Sequence, residues 1–141
     1  MSKTAYDQCY YDSMVQKTRY LFKLIARNTS EPFQVIRNYM KSDYRKAMDC
    51  GNPLYLNKTP KQILGEMGIK INFESERNEK YDEFILEWMA DIYTYMQWRY
   101  NLKSEEIADK INPEELYRIY SPLHEASLEN GAEKLRKIYR I

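Results

Sequence analysis

The sequence predicts an all-α protein, one compact bundle of about six helices around a central aromatic helix at 81–100, with 1–141 forming a single domain. Three observations carry this. Four Gly and five Pro in 141 residues are too few turn formers for a barrel or sandwich of short strands. At 43% hydrophobic and 30% charged, the chain has apolar material for one core and does not have the composition of a disordered chain. Apolar side chains also recur at the 3.6-residue period along most of its length.

The first helix is expected from Thr4 to Arg27, with Tyr6, Tyr10, Met14, Leu21, Leu24 and Ile25 on one face and Gln8, Asp12, Gln16, Arg19 and Lys23 opposite. Asn28-Thr-Ser interrupts it, and Glu31-Pro suits the first turn of a second helix, where a negative charge is favoured and a missing N–H costs nothing. That helix should run unbroken to about Cys50 and bury Phe33, Ile36, Tyr39, Met40, Tyr44, Ala47 and Met48. Its other face then carries Arg37, Lys41 and Arg45 at i, i+4 and i+8, a basic ridge whose like charges repel slightly. Gly51-Asn-Pro stops it. Thr59-Pro opens a short helix through Ile63, Leu64 and Met67, Ile69, Ile71 and Phe73 alternate like a brief extended segment, and the charged run 74–80 reads as a joint.

Residues 81–100 carry the strongest pattern. Tyr81, Ile85, Trp88, Met89, Ile92, Tyr95 and Met96, widened by Phe84, Tyr93 and Tyr100, cover half the circumference and call for packing on two sides. Trp98 falls on the polar side between Glu87 and Asp91, where it is either covered by a neighbouring segment or a contact for a partner. Tyr20 and Tyr55 also lie off the apolar stripes and are candidates for an outer surface. Ser104 should cap a helix with Ile107, Ala108 and Ile111, Asn112-Pro-Glu-Glu should cap one that Ser121-Pro ends, and Ser127 should cap the last, which buries Leu128, Ala132, Leu135 and Ile138 or Tyr139.

Charge is divided unevenly. Residues 1–50 carry nine Lys+Arg against five Asp+Glu, and residues 81–141 carry eight against twelve. Either the halves face and neutralise each other, or each pole recognises a different surface.

Several chemistries are excluded by what is missing. The sequence contains no phosphate-binding glycine loop and no nucleophile elbow, and one His with two Cys cannot fill a four-ligand zinc site, so neither metal nor cofactor is expected. No apolar run approaches a membrane span and none near the N-terminus resembles an export signal, which makes the expected location cytoplasmic and Cys9 and Cys50 reduced, partly buried hydrophobes. Residues 104–117 have the outline of a helix-turn-helix, but Glu114 and Glu115 would meet the DNA phosphates. His124 could act as a general base, yet no partner for catalysis is visible beside it, and a hydrogen-bonded place in the turn before the last helix explains it better.

Trp88, Ile92, Tyr93, Tyr95, Trp98 and Tyr100, then Asn101-Leu-Lys-Ser, then Pro113-Glu-Glu-Leu with Tyr120, His124 and Ser127, resemble in pattern a group of small bacterial helical proteins that look like antitoxins, neutralising partners of toxin-type enzymes. The resemblance covers residues 81–139, somewhat under half the chain. It implies a cytoplasmic, non-enzymatic protein that binds another protein and carries over no catalytic residue. The expected function is therefore binding and restraining a protein partner through Arg37, Lys41, Arg45, Trp98 and Tyr20, alone or as a homodimer. The alternative is nucleic-acid binding by the basic N-terminal half.

Overall fold

The computed structural model describes residues 3–51, 57–73 and 80–141, which form nine helices and no strand. They are α1 (Gln8–Asn28), α2 (Pro32–Lys41), α3 (Asp43–Asp49), α4 (Pro60–Glu66), α5 (Glu83–Tyr100), α6 (Ser104–Lys110), α7 (Pro113–Arg118), α8 (Tyr120–Leu123) and α9 (Leu128–Tyr139). Tyr55, the Asn52-Pro53 stop and the charged run as far as Glu79 lie outside the described residues.

The aromatic helix is central, as its width requires. α5 packs against α1, α6, α7 and α9, and its middle is buried on every side, from Met89 through Thr94. Phe22 of α1 meets the rings of Tyr39 and Tyr93 edge-on, each at 6.4 Å, and the Tyr93 hydroxyl donates to the Ile111 carbonyl at 2.6 Å. The pattern misplaces two rings: Tyr10 is 48% and Phe84 63% exposed. Cys9 and Cys50 are likewise exposed and unbridged, not partly buried.

α1 and α5 run antiparallel, and their polar edges set the register. Arg19 pairs with Asp91, Lys23 with Glu87 at 3.0 Å and Arg27 with Glu83 at 2.8 Å, so each step of four along one helix matches a step of four back along the other. Arg27 and Glu83 form a two-pronged pair, both side chains only 11% exposed, and this rung is worth more than a solvated one.

The second predicted helix is two. Ser42 is extended (ψ 156°), its hydroxyl donating to the Tyr39 carbonyl at 2.6 Å and accepting from the Arg45 amide at 3.2 Å, so it ends α2 and caps α3 at once. The break turns α3 relative to α2 and takes Arg45 off the line of Arg37 and Lys41. The remaining cations meet the acidic second half: Arg37 with Glu114, Lys41 with Asp109, and Lys46 of α3 with Glu105. The two halves of the charge distribution face each other along these contacts.

Residues 69–73 form no strand. Asn28, the last residue of α1, accepts from the amides of Asn72 and Phe73 and donates to the Phe73 carbonyl, so one side-chain amide takes the place of a partner strand. Ser104 is not a cap: Lys103 holds that position and Ser104 turns inward. Ser121-Pro122 does not end the chain's helical run either, since the single turn α8 passes through it.

Candidate functional site

The five residues singled out from the sequence do not form one patch. Arg37 holds both carboxylate oxygens of Glu114 and Lys41 holds Asp109 at 2.9 Å, so these cations face a neighbouring helix of the same chain. Tyr20 is half-buried against the core. Arg45, expected on the surface ridge, is 2% exposed.

Arg45 is the hub of a buried polar network. Its guanidinium donates to Ser104 Oγ at 2.8 Å, Thr18 Oγ1 at 3.0 Å, the Tyr39 hydroxyl at 3.3 Å and Thr94 Oγ1 at 3.4 Å, and lies 3.4 Å from the Asp49 carboxylate. Asp49 in turn accepts from the Ser104 amide at 2.7 Å and hydroxyl at 2.6 Å. Burial pushes the Asp49 carboxyl up, against the pull of Arg45 and Ser104. Burial also opposes the Arg45 charge, but Tyr39 and Asp49 outweigh it and hold the guanidinium protonated. Every buried side-chain nitrogen and oxygen among the described residues has a partner, so the network ties α1, α2, α3, α5 and α6 together and offers no donor to a ligand.

Trp98 is covered on one side. Its indole N–H donates to the Tyr6 carbonyl at 2.8 Å, its own carbonyl accepts from the Ala5 amide, and Tyr11 lies over the ring at 4.5 Å. The N-terminal segment satisfies the polar tip and leaves part of the ring at the surface.

That ring ends a feature the sequence reading did not isolate. Phe84, Trp88, Asp91, Tyr95 and Trp98 follow one another at spacings of four and three, which aligns them along one side of α5. Phe84 is largely exposed, and Trp88, Tyr95 and Trp98 are half-buried. Rings from neighbouring elements extend the stripe: Tyr11 and Tyr100 touch Tyr95, and Trp88 touches Tyr120 at 5.4 Å. His124 stacks on Tyr120 at 4.3 Å, with Nδ1 within 3.1 Å of the Tyr120 and Ser121 carbonyls, as a ring N–H donor in the turn before α9. The spacing was visible in the sequence, but a stripe covering half a helix does not say which edge of it stays partly exposed.

Burial is the main cause of the raised Tyr95 and Tyr100 pKa values; the charges of Glu129 and Glu133 on α9 add to it, while Arg99 and Arg136 oppose it. Asp12 adds in the same way at Tyr11, whose phenol burial holds well above its ordinary range. Among the described residues Asp12, Glu125, Glu129 and Glu133 have no ion-pair partner, and no three His, Cys, Asp or Glu side chains converge as a metal site. None of the described helices is long and apolar enough to cross a membrane. A comparison with known proteins finds no matching family model, no similar curated protein and no matching solved structure.

Proposed function

We propose that the protein is a non-enzymatic binding module that holds and restrains another protein, of the kind a toxin-type enzyme would be. The observation that carries this reading is the partly exposed aromatic stripe on α5, with Phe84 63% exposed at one end and Trp88, Tyr95 and Trp98 half-buried behind it. Large rings that project from a rigid helix lose little freedom on contact and dominate protein interfaces. The antitoxin-like pattern of residues 81–139 supports the same reading. Nucleic-acid binding by the N-terminal half is less well supported, because Arg37 and Lys41 face acids of the same chain and Arg45 is buried.

The test is capture from the native cells with the untagged full chain, sized before and after, alongside Phe84→Arg. A partner of defined mass held by the wild type and lost by the variant is the expected result, and a captured enzyme should lose activity when it is held. Retention of nucleic acid alone, released by salt and indifferent to Phe84→Arg, would replace this reading with the alternative.

A further inference from the structure

This inference rests on the protein-binding reading and concerns where the partner's charge is met. Residues 81–141 are the acidic half of the sequence, yet six of their acids, from Glu83 to Glu114, are matched by cations of α1, α2 and α3. The charge left over is positive and lies at one end. Residues 134–141 carry Lys134, Arg136, Lys137 and Arg140 and no acid. Of the eight described arginines, five pair with a carboxylate of the chain, and the three with no such pair among the described residues are Arg99, Arg136 and Arg140. Packing gathers them. α9 lies beside α5 in the same direction, with Gly131 against the Ile92 side chain and, further on, the Arg136 guanidinium 4.0 Å from the centre of the Tyr100 ring. Arg99 lies 5.9 Å from the same ring, so the two guanidinium groups are no more than about 10 Å apart. Arg136 Nε donates to the Ile141 carbonyl at 3.2 Å, and Arg136, Lys137 and Ile141 wall an open cavity of about 520 Å³, with Glu133 as the acid in its wall.

We infer that this end takes an acidic segment of the partner protein, its carboxylates on Arg99, Arg136, Lys137 and Arg140 and an apolar side chain on Ile138. The carbonyl ends of two helices favour cations in their last turns. They do not call for Arg140, which holds the left-handed cap of α9 (φ 53°), a place that Gly or Asn fills at lower cost. Guanidinium forks match carboxylates in shape as well as in charge. Ile138 is 64% exposed beside Lys137, and a protein surface covers an aliphatic side chain that a phosphate backbone would leave wet. Tyr100 is 6.3 Å from Tyr95, so the cationic end continues the aromatic stripe and one partner can reach both.

The experiment titrates the full chain, in about 0.15 M salt, into a dye-labelled Glu/Leu peptide of about 20 residues and follows its anisotropy. A Lys/Leu peptide and a single-stranded oligothymidylate of the same charge as the Glu/Leu peptide are the other arms. The Glu/Leu peptide should bind saturably, the Lys/Leu peptide should not, and the oligothymidylate should bind at least about tenfold more weakly. Lys137→Glu with Arg140→Glu should weaken the peptide about tenfold and Glu133→Gln should tighten it about twofold. Reversing two exposed cations at α4, which packs on α1, Lys61→Glu with Lys70→Glu, should leave it within about twofold. Arg140→Asn suits the left-handed cap, so it should weaken binding while the melting temperature holds or rises, which loss of a merely structural arginine would not do. Equal binding of both peptides, an equal loss from the α4 pair, or no saturable binding overturns the inference, as does oligothymidylate bound as tightly as the Glu/Leu peptide, which would assign this end to nucleic acid. A partner captured through Phe84 and held equally by the Lys137→Glu, Arg140→Glu chain overturns only this inference. A bound peptide with no captured partner counts against the proposed function instead.

Discussion

A guanidinium shut away from water persists only where its donors and its charge are both answered. Arg45 meets that condition with four side-chain oxygens and the Asp49 carboxylate, drawn from five helices. Arg45→Ala leaves Asp49 buried without its cation, and urea unfolding should show a loss of about 3–5 kcal/mol. Arg45→Lys should recover only part of it, because one ammonium cannot reproduce a planar fork that reaches Ser104, Thr18 and Thr94 at once. A loss under about 1 kcal/mol for Arg45→Ala would mean that the network is incidental to stability. No single-position rule finds this residue in the sequence. A lone Arg on a helical wheel is read as solvated, and its partners Thr18, Thr94 and Ser104 carry no pattern that marks them as meeting.

At the scale of elements, several start signals were legible, while the cap expected at Ser104, the stop expected at Ser121-Pro122 and the break at Ser42 were not read correctly. Asn112, Thr59 and Ser127 cap α7, α4 and α9 as their positions in the sequence suggest, and the period of residues 81–100 locates the central helix. Ser42 escaped because the apolar period runs through it: Ile36, Tyr39, Met40 and Met48 are all buried whether or not the helix is continuous. Ser followed by Asp43 is nonetheless a helix-start signature, and the polar side, unlike the apolar side, depends on the break. Ser42→Ala should cost about 1 kcal/mol in thermal or urea unfolding and loosen amide protection at Arg45, whose N–H it caps. The α1–α5 register makes a second claim. Arg27→Glu or Glu83→Arg alone should each lower stability by about 2 kcal/mol, since each sets like charges together in a place little exposed to water, and the double exchange should restore most of it. Additive losses in the double variant would show that the rung contributes nothing to the pairing of the two helices.

For the whole molecule, Tyr6, Tyr11 and Tyr93 make folding a proton-linked process at alkaline pH. Burial raises the Tyr6 phenol to about 12, and burial likewise raises Tyr11 and Tyr93. In the unfolded chain these phenols release their protons near the ordinary value of about 10. Between the two values the folded state binds more protons than the unfolded one, so the slope of unfolding free energy against pH is negative. The stabilisation is whole below the unfolded value and is lost as pH rises through the folded ones. Tyrosinate absorbance and loss of helical circular dichroism should therefore rise together in one steep step above pH of about 10. The informative comparison is between variants. Tyr6→Phe keeps the ring against the core and removes one raised phenol, and it should move the alkaline midpoint upward. An unchanged midpoint, with phenols titrating near their ordinary value while the helices persist, would mean that the tyrosine side chains are solvated and that the aromatic interior does not stabilise the bundle.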